Sequence, residues 1–119
     1  MKQHPLEGKT AIIKFDSGLQ FRIDFLAEKQ LRWTSIRPED AGATDVEKIH
    51  IEEYSGGIFS VDWIEASGLC VSYTIDTKNE FVKSFMTFPD ENYRGGRRPF
   101  IHEGSFHFIS ENGEPDLTV

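Results

Sequence analysis

Apolar and polar residues alternate with a period of two along most of this 119-residue chain. That period marks strands with one face buried. Ala11, Ile13 and Phe15 alternate with Lys14 and Asp16, and Asp16-Ser17-Gly18 makes a tight turn. Leu19, Phe21, Ile23 and Phe25 then alternate with Gln20, Arg22 and Asp24, so the two runs read as a hairpin. After a short connection at 27–29, Leu31 and Trp33 give a third strand. Residues 36–45 lack the period and read as a loop, with room for one helical turn after Pro38. Val46 to Tyr54 reads as a fourth strand around Ile49 and Ile51, of ambiguous facing. The fifth runs from Gly57, with Phe59, Val61 and Trp63 alternating with Ser60 and Asp62. Leu69, Val71, Tyr73 and Ile75 form the sixth. In the seventh, Glu80 to Phe88, the facing is again open, because Phe81 and Phe85 compete with Val82, Met86 and Phe88. A polar loop from Pro89 to Pro99 leads to the eighth, where Phe100, His102, Gly104, Phe106 and Phe108 share a parity. Residues 110–119 read as a mobile polar tail.

Eight short strands joined mostly by tight turns, with no convincing amphipathic helix, predict an all-β antiparallel meander. An up-and-down barrel removes its open edges; a two-sheet sandwich is the alternative. The expectation is a single domain, 1–119, with the barrel over about 8–109 and an interior wide enough for side chains or one small ligand.

Successive turns of a meander alternate between the barrel ends. The connections at 16–18, 36–45, 66–68 and 89–99 thus share one end, and both long loops make that end the mouth. Glu65 follows Phe59, Val61 and Trp63 by parity and places a carboxylate on an apolar face at this mouth. Such a group is costly unless hydrogen-bonded, paired or neutral. Phe15, Trp33 and His102 also point inward near the mouth, with Tyr73 deeper. A carboxylate, an imidazole and a phenol would then face an aromatic-walled concavity, the usual anatomy of a ligand site.

Composition narrows the functions. Thirteen Lys and Arg against twenty Asp and Glu give a net charge of −7, which argues against general nucleic-acid binding. Arg94, Arg97 and Arg98 with Gly95-Gly96 read either as a solvated loop or as a grip for a small anion at the mouth. The single Cys70 fits a reducing compartment and excludes an internal disulfide. No apolar signal segment or membrane span is visible, so a soluble, cytoplasmic protein without membrane contact is expected. His4, His50, His102 and His107 have no metal-ligand spacing, no phosphate loop occurs, and no metal or cofactor is expected. A homodimer is compatible with this reading.

The strand Gly57-Ile58-Phe59-Ser60-Val61-Asp62-Trp63-Ile64-Glu65-Ala66-Ser67-Gly68 resembles the G-[IV]-[YF]-x-V-S-W-x-E-x-x-G strand of phenolic acid decarboxylases. It is also similar to the small barrels grouped with the molybdenum-cofactor biosynthesis F protein. Phe15 to Phe21 resembles their first hairpin, and Phe88-Pro89 falls where a Phe-Pro closes their seventh strand. The resemblance covers roughly residues 8–109 and implies a calycin or lipocalin-like barrel with an interior site. In the decarboxylases it makes the match of Glu65 the acid/base, beside an arginine, for which Arg37 is the nearest candidate, and two tyrosines. Ile13 and Phe15 occupy the tyrosine positions here, so the phenolic clamp is missing and the F-protein-like branch is the better match.

Three functions follow as expectations. The first is a barrel binding a small, partly apolar, anionic molecule through Phe15, Trp33, Arg37, Trp63, Tyr73 and Arg97. The second is a cofactor-free lyase or isomerase with Glu65 as acid/base, assisted by His102 or Tyr73. The third is a structural or oligomerisation module filled by its own aromatics.

Overall fold

The computed structural model describes residues 3–110; from 111 onward the expected tail lies outside the described residues. Nine strands form one antiparallel sheet: β1 (Thr10–Phe15), β2 (Gln20–Leu26), β3 (Gln30–Ser35), β4 (Thr44–Lys48), β5 (His50–Ser55), β6 (Ile58–Ile64), β7 (Cys70–Asp76), β8 (Phe81–Pro89) and β9 (Arg97–Ile109). Their order is β4-β3-β2-β1-β9-β8-β7-β6-β5. The sheet curls into a nearly closed barrel, and the helical content described is one 3-10 turn at Arg94–Gly96.

The count of nine corrects the expected eight. The fourth run is not one strand but two, divided at Ile49. β4 pairs with β3 up to Gln30↔Lys48, while β5 pairs with β6 from His50↔Asp62. One length of chain therefore hands over from one edge of the sheet to the other. Past Asp62 the end of β6 has no β5 partner, and β4 lies beside it without a ladder. This leaves a slot in the wall beside the mouth.

The apolar faces pack as the period implies. Ala11, Ile13, Phe15, Ile23, Phe25, Leu31, Phe59, Val61, Trp63, Val71, Tyr73, Ile75, Phe106 and Phe108 are buried in one core. On β8 the contest is settled for Val82, Ser84 and Met86, which are buried, whereas Phe81 and Phe85 are exposed outside. Leu6, ahead of the first strand, is also buried. Gly8 N–H donates to the Phe25 carbonyl at 2.8 Å, which folds the chain ahead of β1 across the end opposite the mouth.

Gly104, paired with Phe15, lets β9 come very close to β1. A Cβ there would lie 1.9 Å from the Lys14 carbonyl oxygen. At the mouth the polar loop is shorter than expected, spanning 90–96, because β8 and β9 extend to the pair Pro89↔Arg97.

Candidate functional site

The barrel's closed end is filled by its own side chains, and a cavity of about 230 Å³ remains at the mouth. Its wall comprises Leu19, Phe21, Trp33, Asp40, Trp63, Glu65, Leu69, Val71, Tyr73 and Met86. Every strand residue among them except Met86, on the strand of open facing, follows from parity. Phe21 and Trp33 lie on the inner faces of β2 and β3, Trp63 on β6, Val71 and Tyr73 on β7, and Met86 on β8.

Five aromatic rings run in sequence round this end. Trp33 meets Phe21 at 6.1 Å between centroids, Phe21 meets Phe15 at 6.4 Å, Phe15 meets Tyr73 at 5.9 Å, and Tyr73 meets Trp63 at 4.9 Å. Three of these contacts are edge-on and the fourth is tilted, so each ring fixes the next. The series is a horseshoe, and its two ends are indoles.

Each indole donates to a carboxylate. Trp63 Nε1–H donates to Glu65 Oε2 at 3.1 Å, and Trp33 Nε1–H donates to Glu47 Oε2 at 3.0 Å. Glu65 sits at the end of β6, in the turn closed by its N–H to the Leu69 carbonyl at 2.8 Å. Glu47 comes from β4, on the other side of the slot, and only 6% of it is exposed. Burial pushes the Glu65 carboxyl above its ordinary value. The Trp63 hydrogen bond opposes that shift, and the charges of Glu47 and Asp45 reinforce it. Burial, helped by the charge of Glu65, also raises the Tyr73 phenol far above its ordinary value. Tyr73 is therefore a neutral hydroxyl at any physiological pH.

Of the residues singled out from sequence, Trp33, Trp63, Glu65 and Tyr73 share one cavity wall, and Phe15 stands behind Tyr73. His102 is inward and 3% exposed, but it stacks on Phe15 at 3.7 Å instead of reaching the cavity. Its Nδ1 lies 2.7 Å from Ser17 Oγ, and its Nε2, like Ser84 Oγ on the neighbouring strand, has no hydrogen-bond partner among the described residues. Burial lowers its pKa, with Asp16 opposing, which favours the neutral ring.

The arginines are placed elsewhere. Arg37 reaches Asp40 at 2.8 Å, and Asp40 in turn accepts from Ser35 at 2.5 Å, so this network pins the mouth loop. Arg97 does not ring the mouth: it lies on the outer wall, donating to the Gly68 and Thr87 carbonyls at 2.7 Å. Arg98 lies over the rings of Phe88 and Tyr93. Among the described residues, no lysine, arginine or histidine belongs to the cavity wall.

Sequence reasoning missed Asp40, Phe21 and Met86 in the wall, and Glu47, which is not in the wall but holds its Trp33 indole. Counting back by two from Ile51 and Ile49 reaches Glu47, by the same rule that singles out Glu65. A larger depression, about 660 Å³, lies outside the barrel across the same slot, between Lys48, His50, Ile64 and Phe85. It shares only Trp63 and Val71 with the inner wall. We place the candidate site inside, because both indoles, the Glu65 carboxyl and the Tyr73 hydroxyl belong to that wall.

The chain matches the family model described as MoaF-like over residues 7–96. It belongs to the MoaF-like family. Among solved structures, this MoaF-like chain is similar to one titled a putative beta-lactamase from Burkholderia vietnamiensis. The two share 19% identity at a TM-score of 0.77, over 92% of this chain and 100% of that one. At that identity the likeness is one of fold. Among curated proteins none matches the chain. The expected family and an all-β barrel with almost no helix are thus shown.

Proposed function

We propose that this MoaF-like protein binds a small, partly apolar molecule in the mouth cavity. The observation that carries the reading is the aromatic horseshoe closed by two indole-held carboxylates. A wall that is mostly apolar, with a few fixed polar groups, is how small-molecule sites are built. The volume of about 230 Å³ falls below the roughly 300–1,000 Å³ typical of drug-sized ligands. A metabolite with one ring or a short chain fits that space better than a large cofactor. The anionic ligand expected from the arginines finds no basic side chain in the wall, which weakens that part of the expectation.

Native mass spectrometry of the purified protein tests the reading. A retained small molecule should appear in the wild type and be lost from a Trp33→Ala, Trp63→Ala double variant that still gives a β-rich circular dichroism spectrum. Retention of the same molecule by the folded double variant would refute the site.

The raised pKa of Glu65 favours a second reading, in which Glu65 transfers a proton on a bound substrate. Tyr73 would then be a neutral donor within the same wall. A Glu65→Gln variant should in that case keep its ligand and lose turnover. If no turnover is found for the retained molecule in the wild type, this reading fails while binding stands.

A further inference from the structure

Two carboxylates at the mouth have no basic partner among the described residues. Glu47 is buried, and among the described residues its carboxylate accepts from an indole. Glu65 is half-buried and is likewise held by one indole. Neither takes part in an ion pair among the described residues. β4, which carries Glu47 and Asp45, lies beside β6, which leads into Glu65, and the charges of both residues raise the Glu65 carboxyl. Arg37, on the mouth loop, is engaged with Asp40 and Glu39. Buried charge without a partner is costly, and like charges together compound the cost.

A bound cation would resolve this arrangement. An inorganic ion is a poor fit: among the described residues, no group of three or more His, Cys, Asp or Glu is placed to hold a metal. An organic cation matches both halves of the site. Aromatic rings attract cations through their quadrupoles, and here they flank carboxylates that are already oriented. We propose that the ligand of this cavity is a small organic cation, an ammonium or similar nitrogen group on an apolar body. The charged group would lie toward Glu65 and the slot with Glu47, and the apolar body against Trp33, Phe21, Tyr73 and Trp63. This rests on the cavity being the ligand site and specifies the class of ligand.

Quenching of the two indoles gives the readout. Phenethylammonium, phenethyl alcohol and phenylacetate share a similar body and differ in charge. Each would be titrated into wild type, Glu47→Gln, Glu65→Gln and, as a charge control on the exposed face of β5, Glu52→Gln. The ammonium should bind at least about tenfold more tightly than the alcohol, a step of the size expected for charge-assisted hydrogen bonds. Phenylacetate should be weakest. Glu47→Gln and Glu65→Gln should each lower ammonium affinity at least about fivefold while leaving that of the alcohol unchanged, and Glu52→Gln should bind like wild type. Glutamine keeps the shape and an acceptor for the indole, and circular dichroism checks the fold.

Equal affinity for the alcohol and the ammonium, or a preference for phenylacetate, would overturn the assignment of a cation while leaving the cavity reading intact. A drop of equal size in Glu52→Gln would overturn it too, since net charge would then be the cause. Failure of all three probes, with no molecule retained in the native mass spectrum, would overturn both readings together.

Discussion

Glu65 and Glu47 have the same local solution, an indole N–H aimed at one carboxylate oxygen. One hydrogen bond does not replace the hydration that burial removes, so Glu65 titrates above its ordinary value of 4.5. Its protonated form is the one the fold favours. The stability it contributes is full below 4.5 and is lost as pH rises through the raised value. Urea unfolding at a series of pH values should show wild type losing stability relative to Glu65→Gln on going from acid to neutrality. His102 works in the opposite direction, because burial lowers it from 6.5. Its contribution is present above 6.5 and is lost as pH falls through the lowered value. A His102→Phe variant should therefore be less acid-sensitive than wild type on that limb. Glu65 was legible in the sequence because Phe59, Val61 and Trp63 set its parity without ambiguity. Glu47 obeys the same count from Ile49 and Ile51, but the competing parity of Val46 hid it. That competition is false in the structure, where Val46 is 47% exposed. Tyr73, Trp33 and Trp63 were placed correctly by period alone. The partners of Arg37 and Arg97 could not be read, since a flexible side chain on a loop or strand end carries no period.

At the scale of elements, the weak place is where β4 hands over to β5. Elsewhere each strand is held on both sides, whereas β4 and β5 each have one neighbour in the sheet. Amide exchange in native conditions should therefore be faster in β4 and β5 than in β1, β7 or β8. Uniform protection round the barrel would mean that the seam is closed in solution. The strong point is the approach of β1 to β9 at Gly104. Gly104→Ala puts a carbon against the Lys14 carbonyl, and backbone cannot yield as a side chain does. Its cost should exceed the about 1–3 kcal/mol usual for overpacking, measured as a fall in the thermal midpoint. Seven of the strands could be drawn from the sequence, six of them with their facing, because each of those six pairs a clear period with a turn. The facing of β8 could not, since both its faces carry apolar residues and only the sheet decides between them. The division at Ile49 could not be drawn either. No Gly, Pro or Asn marks it, and the cause lies in the closure of the ring.

The whole molecule carries a net charge of −7, and the mouth concentrates part of it. Salt should therefore weaken phenethylammonium binding while leaving phenethyl alcohol unchanged, since screening acts on the long-range attraction alone. Titrations at low and high sodium chloride would show this directly. The closed end tolerates no such variation: Phe25 is 2% exposed, and Phe25→Ala should cost about 3–5 kcal/mol. The fold thus separates a packed half that maintains the barrel from a half that is free to differ. Ile49 adds a consequence for how such a protein could change. Because the chain itself crosses the gap, both carboxylates and both margins of the slot lie within residues 44–65. Their charge can be altered through one contiguous stretch of gene, while most of the wall that supports it stays the same. Diversification of ligand preference then needs a change in one segment, not coordinated changes spread around the ring.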